Sequence, residues 1–480
     1  MIQYFRNIIF CGLMIFSLSL WAESYVDSQG NLVVDGEPYF IMGLFSDSYS
    51  SSYDDKMATI DSLSKAGFNV AKTSAMGEKW QMESHLGNAN NSGMKLIYDG
   101  AKNNQWKDFH LNIMKTYKDY PGLLGWYIAD DSHRIHPDTL KMLYNRAKEI
   151  DPDHITTHSM ALSCWNDYGA EHIRERVEYC DVLQMQSYPI GKEPIDEVYH
   201  DMRHTIEAVK PYNTPVVVDL QLFNWQLTGH EWGRWPTQKE TELMTWLAIV
   251  AGVDGYLYYS YYDELEDPAR SLANSQPELW KTAKNIAKKM NIIKPVLLEQ
   301  QKFITFNPKS DCYYGHWITD NHSTVIVINT SKTDSLSVSI PIVEGHTKLQ
   351  SLFNDSSGKF RISEGFLRGN LAPMSVDFYR LSPQATGIKT EQKPQSYNIN
   401  TFPNPTNGRF QISISTNITG NLSIQIYSLQ GTLVNFKKSR ISNPGSYRFF
   451  FPIEDMAAGI YLIKTEIDNI TKINKITYLP

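Results

Sequence analysis

Eight short apolar runs, each followed by a longer segment, constrain the fold of this chain most. The longer segments have helical periodicity and include Tyr53–Ala66, Lys102–Tyr117, Pro137–Ile150 and Glu240–Ala251. This alternation is typical of parallel βα units, and eight such units predict an α/β fold, a closed (β/α)8 TIM barrel. The predicted strands are Phe40–Phe45, Asn69–Thr73, Lys95–Tyr98, Leu123–Ala129, Ile155–Ser159, Val182–Tyr188, Pro215–Phe223 and Gly255–Tyr261.

The pattern changes after residue 300, which ends a predicted barrel domain of residues 23–300. Short β-rich runs such as Ser323–Ile328 and the strictly alternating Ser335–Ile340 predict a β-sandwich over residues 301–382. We expect it to pack on the barrel as an accessory domain. Residues 383–400 are polar and Pro-containing, which predicts a linker. Residues 401–480 are again β-rich and predict a second, small all-β domain.

The first 22 residues have the composition of a secretory signal peptide. Arg6 is their only charged residue, Ile8–Leu20 is apolar, and Leu20-Trp21-Ala22 offers a cleavage site. The apolar run is shorter than the roughly 20 residues of a membrane-spanning helix. We therefore expect an exported protein with no transmembrane segment after removal of residues 1–22.

Cysteine and histidine spacing predicts neither a disulfide framework nor a metal site. After removal of the signal peptide three cysteines remain, so one disulfide could form, with Cys164 and Cys180 as the nearest pair and Cys312 left over. His154 and His158 lie four apart on a predicted strand without a third ligand. We predict no metal and no cofactor.

Charge is distributed unevenly along the chain. The net charge is −7, which argues against nucleic acid as a partner. Residues 384–480 nevertheless contain ten Lys and Arg against five Asp and Glu. This difference in sign supports a separate C-terminal module.

The C-terminal module contains three motifs in order: Phe402–Gly408, a strand and turn at Ile424–Gly431, and Gly459–Ile463 followed by Lys472–Ile476. Together they resemble the C-terminal sorting domain of the type IX secretion system of Bacteroidetes. The resemblance implies that the type IX machinery is a partner and that the protein is secreted or attached to the cell surface. The turns and alternating strands alone indicate only a small β-sandwich, for which a carbohydrate-binding or adhesive module is the alternative.

Two adjacent carboxylates end the fourth predicted strand. The apolar run Leu123–Ala129 is followed directly by Asp130 and Asp131. Residues at this end of a barrel strand face the mouth, where active sites of such barrels lie. Neighbouring carboxyl groups do not both ionise easily, so one can remain protonated near neutral pH and act as a general acid. Such pairs also occur in ordinary solvated turns and at helix N-termini.

The strand context resembles barrel glycoside hydrolases of the clan A kind. The resemblance rests on Glu37–Gly43, Ala66–Val70, the run ending in Asp130 and Asp131, and Ala251–Ser260. It implies that Asp131 is the acid/base, although in that clan a Glu holds this position after Asn or Asp. It also implies a secreted hydrolase acting on a poly- or oligosaccharide.

The seventh predicted strand departs from that resemblance. The clan places a nucleophilic Glu at its end, whereas this chain has Gln221, and an amide cannot attack a sugar carbon. We expect Gln221 to bind substrate and Asp219, two residues earlier, to be structural. The acids that could supply a second carboxylate are Asp47, Asp99, Asp263 and Glu264.

A second mechanism remains open for the pair. Adjacent Asp-Asp after the fourth strand also resembles O-GlcNAc hydrolases, which use the 2-acetamido oxygen of the substrate as the nucleophile. By that analogy Asp130 orients and stabilises the acetamido group and Asp131 is the acid/base, so a carboxylate on the seventh strand is not needed.

Other side chains near strand ends are candidates for sugar binding. The loop Phe223–Trp235 is long and aromatic for a βα connection, which favours a binding role. The predicted binding residues are Lys72, His158, Gln186, Tyr188, Gln221, Trp225 and Tyr259. A non-catalytic glycan-binding barrel is the main alternative to a hydrolase, because both catalytic positions depart from the clan, and a surface adhesin is a third interpretation.

Overall fold

A computed structural model describes the chain in segments. The described residues are 23–47, 51–99, 108–161, 167–262, 271–299, 302–309, 311–354, 356, 358–383, 397–402, 404–407, 410–416, 418–428, 432–441, 445–451, 457–468 and 470–479. The chain divides into two compact units between Gln384 and Ala385. The predicted signal peptide, Cys164, Asp263, Glu264 and most of the predicted linker lie outside the described residues.

The first unit contains a small N-terminal sheet and a closed eight-stranded parallel barrel, as the sequence predicted. The sheet consists of β1 (Ser24–Val26), β2 (Leu32–Val34) and β3 (Glu37–Pro38). The barrel strands are β4 (Ile41–Phe45), β5 (Val70–Thr73), β6 (Lys95–Asp99), β7 (Leu123–Ala129), β8 (Ile155–Met160), β9 (Val182–Ser187), β10 (Val216–Gln221) and β11 (Gly255–Tyr259).

Helices follow the barrel strands, and their starts lie at the mouth of the barrel. They are α1 (Tyr53–Ala66), α2 (Lys79–Asn91), α3 (Asp108–Tyr117), α4 (Pro137–Ile150), α5 (Asp167–Arg174), α6 (Glu197–Val209), α7 (Gln238–Ala251), α8 (Leu272–Ser275) and α9 (Pro277–Glu299). Short 3-10 turns occupy Ser132–Arg134, Val177–Tyr179, Lys210–Tyr212 and Trp225–Thr228.

The N-terminal sheet covers the end of the barrel opposite the mouth. Leu32 and Val34 pack in one cluster with Ile41, Val70 and Leu257 from the barrel interior. The hydroxyl of Ser24 donates to the Leu124 carbonyl and accepts from the Ile155 amide. This sheet therefore closes the bottom of the core.

The β-sandwich belongs to the same compact unit as the barrel. Its five-stranded sheet has the order β12–β13–β14–β19–β16, and its three-stranded sheet the order β15–β18–β17. The strands are β12 (Lys302–Lys309), β13 (Cys312–Ile318), β14 (Ser323–Asn329), β15 (Leu336–Pro341), β16 (His346–Ser351), β17 (Arg361–Ser363), β18 (Phe366–Leu371) and β19 (Ser375–Pro383).

Aromatic side chains join the sandwich to the barrel helices. The rings of Trp246 on α7 and Phe378 on β19 are 4.6 Å apart in an edge-to-face arrangement. Tyr313 on β13 donates a hydrogen bond of 2.6 Å to Asp196 beside α6. Because Trp246 and Phe378 are buried, this contact forms part of the main core.

The second unit is all-β, with one sheet in the order β20–β21–β24 and another in the order β23–β22–β25–β26. Its strands are β20 (Tyr397–Phe402), β21 (Phe410–Thr416), β22 (Gly420–Ser428), β23 (Leu433–Ile441), β24 (Gly445–Phe451), β25 (Gly459–Ile467) and β26 (Ile470–Tyr478). Apolar side chains at alternate positions of β21, β22 and β25 form its core.

Candidate active site

Strand β7 brings Asp130 and Asp131 to the mouth through an irregular register. Its pairing shifts once against β6 and again against β8, between Tyr127 and Ala129. Such shifts change which side chains face the interior, and they are frequent near active sites. Gly125 permits close pairing here, since a Cβ at this position would lie 2.3 Å from the Ile155 carbonyl oxygen.

One oxygen of Asp130 is anchored by several donors. Its Oδ1 accepts hydrogen bonds from the hydroxyls of Tyr127 and Ser159, both at 2.8 Å, and from the Asp131 amide at 2.9 Å. Gln186 Nε2 donates a longer one of 3.4 Å to the same oxygen. Within the described part of the chain, Oδ2 has no such donor, and the residue is solvent-exposed. The anchored carboxylate therefore presents one oxygen to the mouth.

The surroundings of Asp130 favour its ionised form. Partial desolvation would raise the pKa of this carboxyl group, but the positive charge of Lys72 and the bonds from Tyr127, Ser159 and the Asp131 amide lower it below its usual value. Asp130 is therefore ionised near neutral pH.

Lys72 is the buried cation of the site. Its ammonium lies 3.0 Å from Asp99 Oδ1, 3.9 Å from the centre of the Tyr127 ring and 4.3 Å from that of Phe45. Burial would lower the pKa of Lys72, but the charges of Asp99, Asp130 and Asp47 raise it above its usual value. Lys72 therefore stays charged between acids on neighbouring strands.

Asp131 lies at the edge of the site with its side chain 38% exposed. Its backbone is in the left-handed region, with φ of 45°. Arg134 Nη1 lies 3.2 Å from its carboxylate, and Gln186 Nε2 donates a hydrogen bond of 3.4 Å to it. Asp131 is thus open to solvent and next to Asp130, a position from which it can reach a ligand in the mouth.

Four rings from β9, β10 and β11 and the segments that follow them form an aromatic wall, which we define as Tyr188, Phe223, Trp225 and Tyr259. Neighbouring rings meet at 4.7 Å for Phe223 and Trp225, and at 5.6 Å for Phe223 and Tyr259. The half-buried rings of Tyr188, Trp225 and Tyr259 leave part of their surface open. Trp232, which is 42% exposed, lies 6.0 Å from Trp225 and extends the wall outward.

Gln221 does not have the free amide that the sequence suggested, which corrects its assignment as a direct sugar ligand. The side chain is fully buried, and its Oε1 accepts a hydrogen bond of 2.9 Å from the Ile190 amide. Its Nε2 donates to the carbonyls of Phe223 and Ile190. Gln221 therefore joins the loops after β9 and β10 and supports the wall from behind.

His158 is also structural, which corrects its predicted binding role. It is fully buried, with Nδ1 at 2.9 Å from Ser132 Oγ and Nε2 at 3.3 Å from the Arg176 carbonyl. Burial lowers its pKa to about 4. Its ring holds the turn after the Asp pair in place and does not line the mouth.

Two further acids at the barrel have no access to a ligand. Asp47 accepts hydrogen bonds from Lys56 and Ser74, and its side chain is 6% exposed. Asp219 is fully buried, and neither of its oxygens has a hydrogen-bond partner among the described residues. Burial raises its pKa well above the usual value, with a smaller contribution from Asp130. Of the five acids Asp47, Asp99, Asp130, Asp131 and Asp219, the strand-end candidates that remain are therefore Asp99, Asp130 and Asp131.

Tyr127 and Ser159, the two hydroxyl donors to Asp130, were not predicted from the sequence. Their own oxygens are 2.6 Å apart, and both side chains are buried. Ser159 could have been predicted, because side chains alternate along β8 and the outward-facing His158 places the next residue, Ser159, on the inner face. Tyr127 could not, because the register shift in β7 changes the alternation before Asp130.

Two features are absent from the described residues. None of the described helices is both long and apolar enough to cross a membrane. In the same residues, no three His, Cys, Asp or Glu side chains are grouped as metal ligands would be.

Comparison with known proteins identifies the C-terminal module. Residues 400–478 match the family described as "Secretion system C-terminal sorting domain". The predicted sorting domain is therefore confirmed, and it implies export. A search of curated proteins finds no match for this sequence.

Solved structures similar to this chain include several carbohydrate-active enzymes. A glycoside hydrolase family 5 protein from Bacteroides vulgatus is 13% identical, with a TM-score of 0.57 over 76% of this chain and 94% of that chain. An Anoxybacillus alpha-amylase is 13% identical, with a TM-score of 0.47 over 71% and 92% of the two chains. A gamma-CGTase from alkalophilic Bacillus clarkii is 10% identical, with a TM-score of 0.49 over 95% and 81%.

Only the first of these scores exceeds 0.5, and at 13% identity it concerns the fold. The chain therefore combines a barrel fold shared with a family 5 glycoside hydrolase and a C-terminal secretion sorting domain.

Proposed function

We propose that this protein is a secreted glycoside hydrolase in which Asp131 is the acid/base and Asp130 its orienting partner. The observation that carries the proposal is the asymmetry of the pair. Asp130 is ionised and anchored through one oxygen, whereas Asp131 is partly exposed beside it. Different surroundings for two neighbouring carboxyl groups are what separate acid and base roles need.

In a substrate-assisted reaction, the 2-acetamido oxygen of the substrate bonds to the anomeric carbon as the glycosidic bond breaks, and Asp131 gives its proton to the leaving oxygen. Water then attacks the anomeric carbon and displaces the acetamido oxygen, and Asp131 accepts a proton from this water, which restores the starting state. Arg134, at 3.2 Å, holds the carboxylate in position between these steps. The positive charge of Lys72 keeps Asp130 anionic throughout the cycle.

The arrangement of Asp130 is compatible with substrate assistance. Its Oδ2, which has no donor from the described residues, can accept a hydrogen bond from the N–H of a 2-acetamido group and stabilise the positive charge that develops there. Asp99 is the alternative second carboxylate, but Lys72 already pairs with it.

Sugar rings stack on the aromatic wall in this proposal. Tyr188, Trp225 and Tyr259 supply partly open ring faces, which suit the apolar faces of sugars. Gln186 and Lys72 lie close enough to the carboxylates to contact sugar hydroxyls. Gln221 contributes through the loops that it joins.

A second candidate function is glycan binding without hydrolysis. It is favoured by Gln221, because the end of β10 offers an amide engaged by backbone groups where the clan A resemblance places a nucleophile. A binding protein needs the aromatic wall but no acid. In either case we propose the type IX machinery as the partner of residues 400–478, with the cell surface or the medium as the destination.

A hydrolysis screen distinguishes the two candidates. The mature protein is incubated with aryl glycosides, with and without 2-acetamido groups, and with soluble polysaccharides, and the release of phenol or reducing ends is measured. A variant carrying both Asp130→Asn and Asp131→Asn controls for contaminating glycosidases. Release by the wild type alone supports the hydrolase, and binding without release supports the second candidate.

The same screen separates the two mechanisms. Substrate assistance predicts cleavage only of sugars that carry a 2-acetamido group. Full activity on sugars without this group would exclude substrate assistance and leave the two-carboxylate mechanism.

A further inference from the structure

A second aromatic patch lies on the rim of the barrel mouth, apart from the wall. It consists of Tyr53 and Trp80, which we call the rim pair. Their ring centres are 4.9 Å apart with an angle of 63° between the planes. Trp80 is 55% exposed, the largest exposed fraction of any described tryptophan. An exposed ring of this size offers an apolar face on which a ligand can stack.

The topology places the rim pair on the same face of the barrel as Asp130 and Asp131. Tyr53 is the first residue of α1 and Trp80 the second residue of α2. Helices that follow barrel strands begin at the mouth. The rim pair therefore lies beyond β4 and β5, whereas the aromatic wall follows β9, β10 and β11.

Buried polar contacts hold the rim pair in place. Asp47, after β4, forms an ion pair with Lys56 on the first turn of α1, and both side chains are 6% exposed. Asp47 also accepts a hydrogen bond of 2.6 Å from the hydroxyl of Ser74, in the loop that leads to Trp80. Ser52 and Asp55 form a capping box immediately around Tyr53. This network fixes the two segments that carry the pair before any ligand binds, which lowers the entropic cost of binding.

Aromatic rings form the floor of the mouth between the rim pair and the aromatic wall. Phe45 at the end of β4 lies 5.0 Å from Tyr259 of the wall and 6.5 Å from Tyr127. The ammonium of Lys72 covers the faces of Phe45 and Tyr127. Stacking surfaces thus occur on two sides of the mouth, with charged hydrogen-bonding groups between them.

From this arrangement we infer that the rim pair is a second stacking site for a sugar ring, so that the mouth takes a chain of several sugars. The occupant is one end of an oligosaccharide whose other part lies between the aromatic wall and Asp131. This inference rests on the proposed carbohydrate site and adds that the substrate is a chain and not a single sugar.

Calorimetric titration of the full mature protein tests this inference. The probes are cellohexaose, mannohexaose and N-acetylchitohexaose, each compared with its disaccharide. Trp80→Ala should weaken the binding of the hexasaccharide roughly tenfold, in keeping with the loss of one aromatic contact, and leave disaccharide binding within about twofold. Trp80→Phe should retain most of the affinity.

Two controls keep the result specific. Ile292→Ala removes an apolar side chain that is 51% exposed on α9 and should leave both affinities unchanged. Trp225→Ala should weaken the binding of both the hexasaccharide and the disaccharide, because it removes a ring of the aromatic wall itself.

The outcomes separate this inference from the proposed function. If a hexasaccharide binds through Trp80 but is not cleaved, the second stacking site is supported and the proposed hydrolase activity is contradicted. If a hexasaccharide is cleaved and Trp80→Ala binds it with unchanged affinity, the hydrolase activity is supported and the second stacking site is contradicted. The second stacking site is also contradicted if Trp80→Ala loses the same affinity for the disaccharide as for the hexasaccharide. It is contradicted as well if the wild type binds none of the three hexasaccharides.

Discussion

Asp130 and Asp219 are two carboxyl groups of one barrel in opposite surroundings. Asp130 receives hydrogen bonds from three strands or loops and lies near Lys72, so its pKa is lowered. Asp219 lies deeper on β10 without a hydrogen-bond partner among the described residues, and burial raises its pKa. Asp219 therefore holds its proton to a higher pH than Asp130 does.

The raised pKa of Asp219 makes stability depend on pH. An unfolded Asp has a pKa of about 3.9, so above this pH the unfolded chain has lost a proton that the folded chain still holds. The contribution of Asp219 to the free energy of unfolding therefore falls as the pH rises from about 4 towards the raised pKa of the folded state. Asn cannot ionise, so the stability of Asp219→Asn relative to the wild type should increase with pH, by at most about 1.4 kcal/mol per pH unit.

Urea unfolding of Asp219→Asn and the wild type between pH 4 and 8 measures this difference. Asp138→Asn is the control, because the Asp138 side chain is 88% exposed on α4. A difference between Asp219→Asn and the wild type that stays constant over this range would contradict a raised pKa of Asp219.

Gln221 shows what sequence can and cannot predict about a single residue. The period of two along β10 correctly places it at the inner end of the strand. Its partners are backbone groups of Ile190 and Phe223, in two different loops. Loop paths of this kind depend on packing and have no periodic signal, so the buried state of the amide could not be predicted.

At the scale of elements, the barrel strands were predictable because short apolar runs alternate with amphipathic helices. The N-terminal sheet was not predicted, although Asp35 and Gly36, both with positive φ, form the kind of turn that joins hairpin strands. Its strands are only two or three residues long, which is too short for a periodic pattern.

The contact between α7 and β19 predicts that barrel and sandwich unfold together. Phe378 is 1% exposed and packs against Trp246 at 4.6 Å and Phe353 at 5.0 Å. Phe378→Ala leaves a cavity in this interface and should destabilise the unit by about 3–5 kcal/mol. Urea unfolding followed by tryptophan fluorescence and by circular dichroism should show one shared transition at lower urea.

Phe366→Ala is the matched control for this variant, because Phe366 lies in the other sheet of the sandwich and is 36% exposed. It should change stability far less. Two separate transitions, of which only one moves in Phe378→Ala, would show that the sandwich is an independent domain.

At the scale of the whole molecule, the division at Gln384 predicts that the first unit folds without the second. A chain that ends at Gln384 should melt within a few degrees of the same unit in the full-length protein. Differential scanning calorimetry measures both. Loss of the cooperative transition in the shorter chain would show that residues 385–480 are needed for folding.

Domain order and fold class were predictable from composition and periodicity over long segments, whereas the chemistry of the site was predictable only in part. Asp130 and Asp131 could be located because they end an apolar strand. Their different surroundings depend on Lys72, Tyr127 and Ser159, which three different strands bring together. Such convergence appears only in the folded chain.

The turnover of Asp131→Asn on a substrate found in the hydrolysis screen tests whether Asp131 is the acid/base. The substitution keeps the shape of the side chain and removes the acid. We expect turnover to fall by roughly 10²–10⁴-fold, while the dissociation constant measured by calorimetry stays nearly unchanged. Asp138→Asn should retain full turnover. Turnover of Asp131→Asn at the wild-type rate would contradict the assignment of Asp131 as the acid/base.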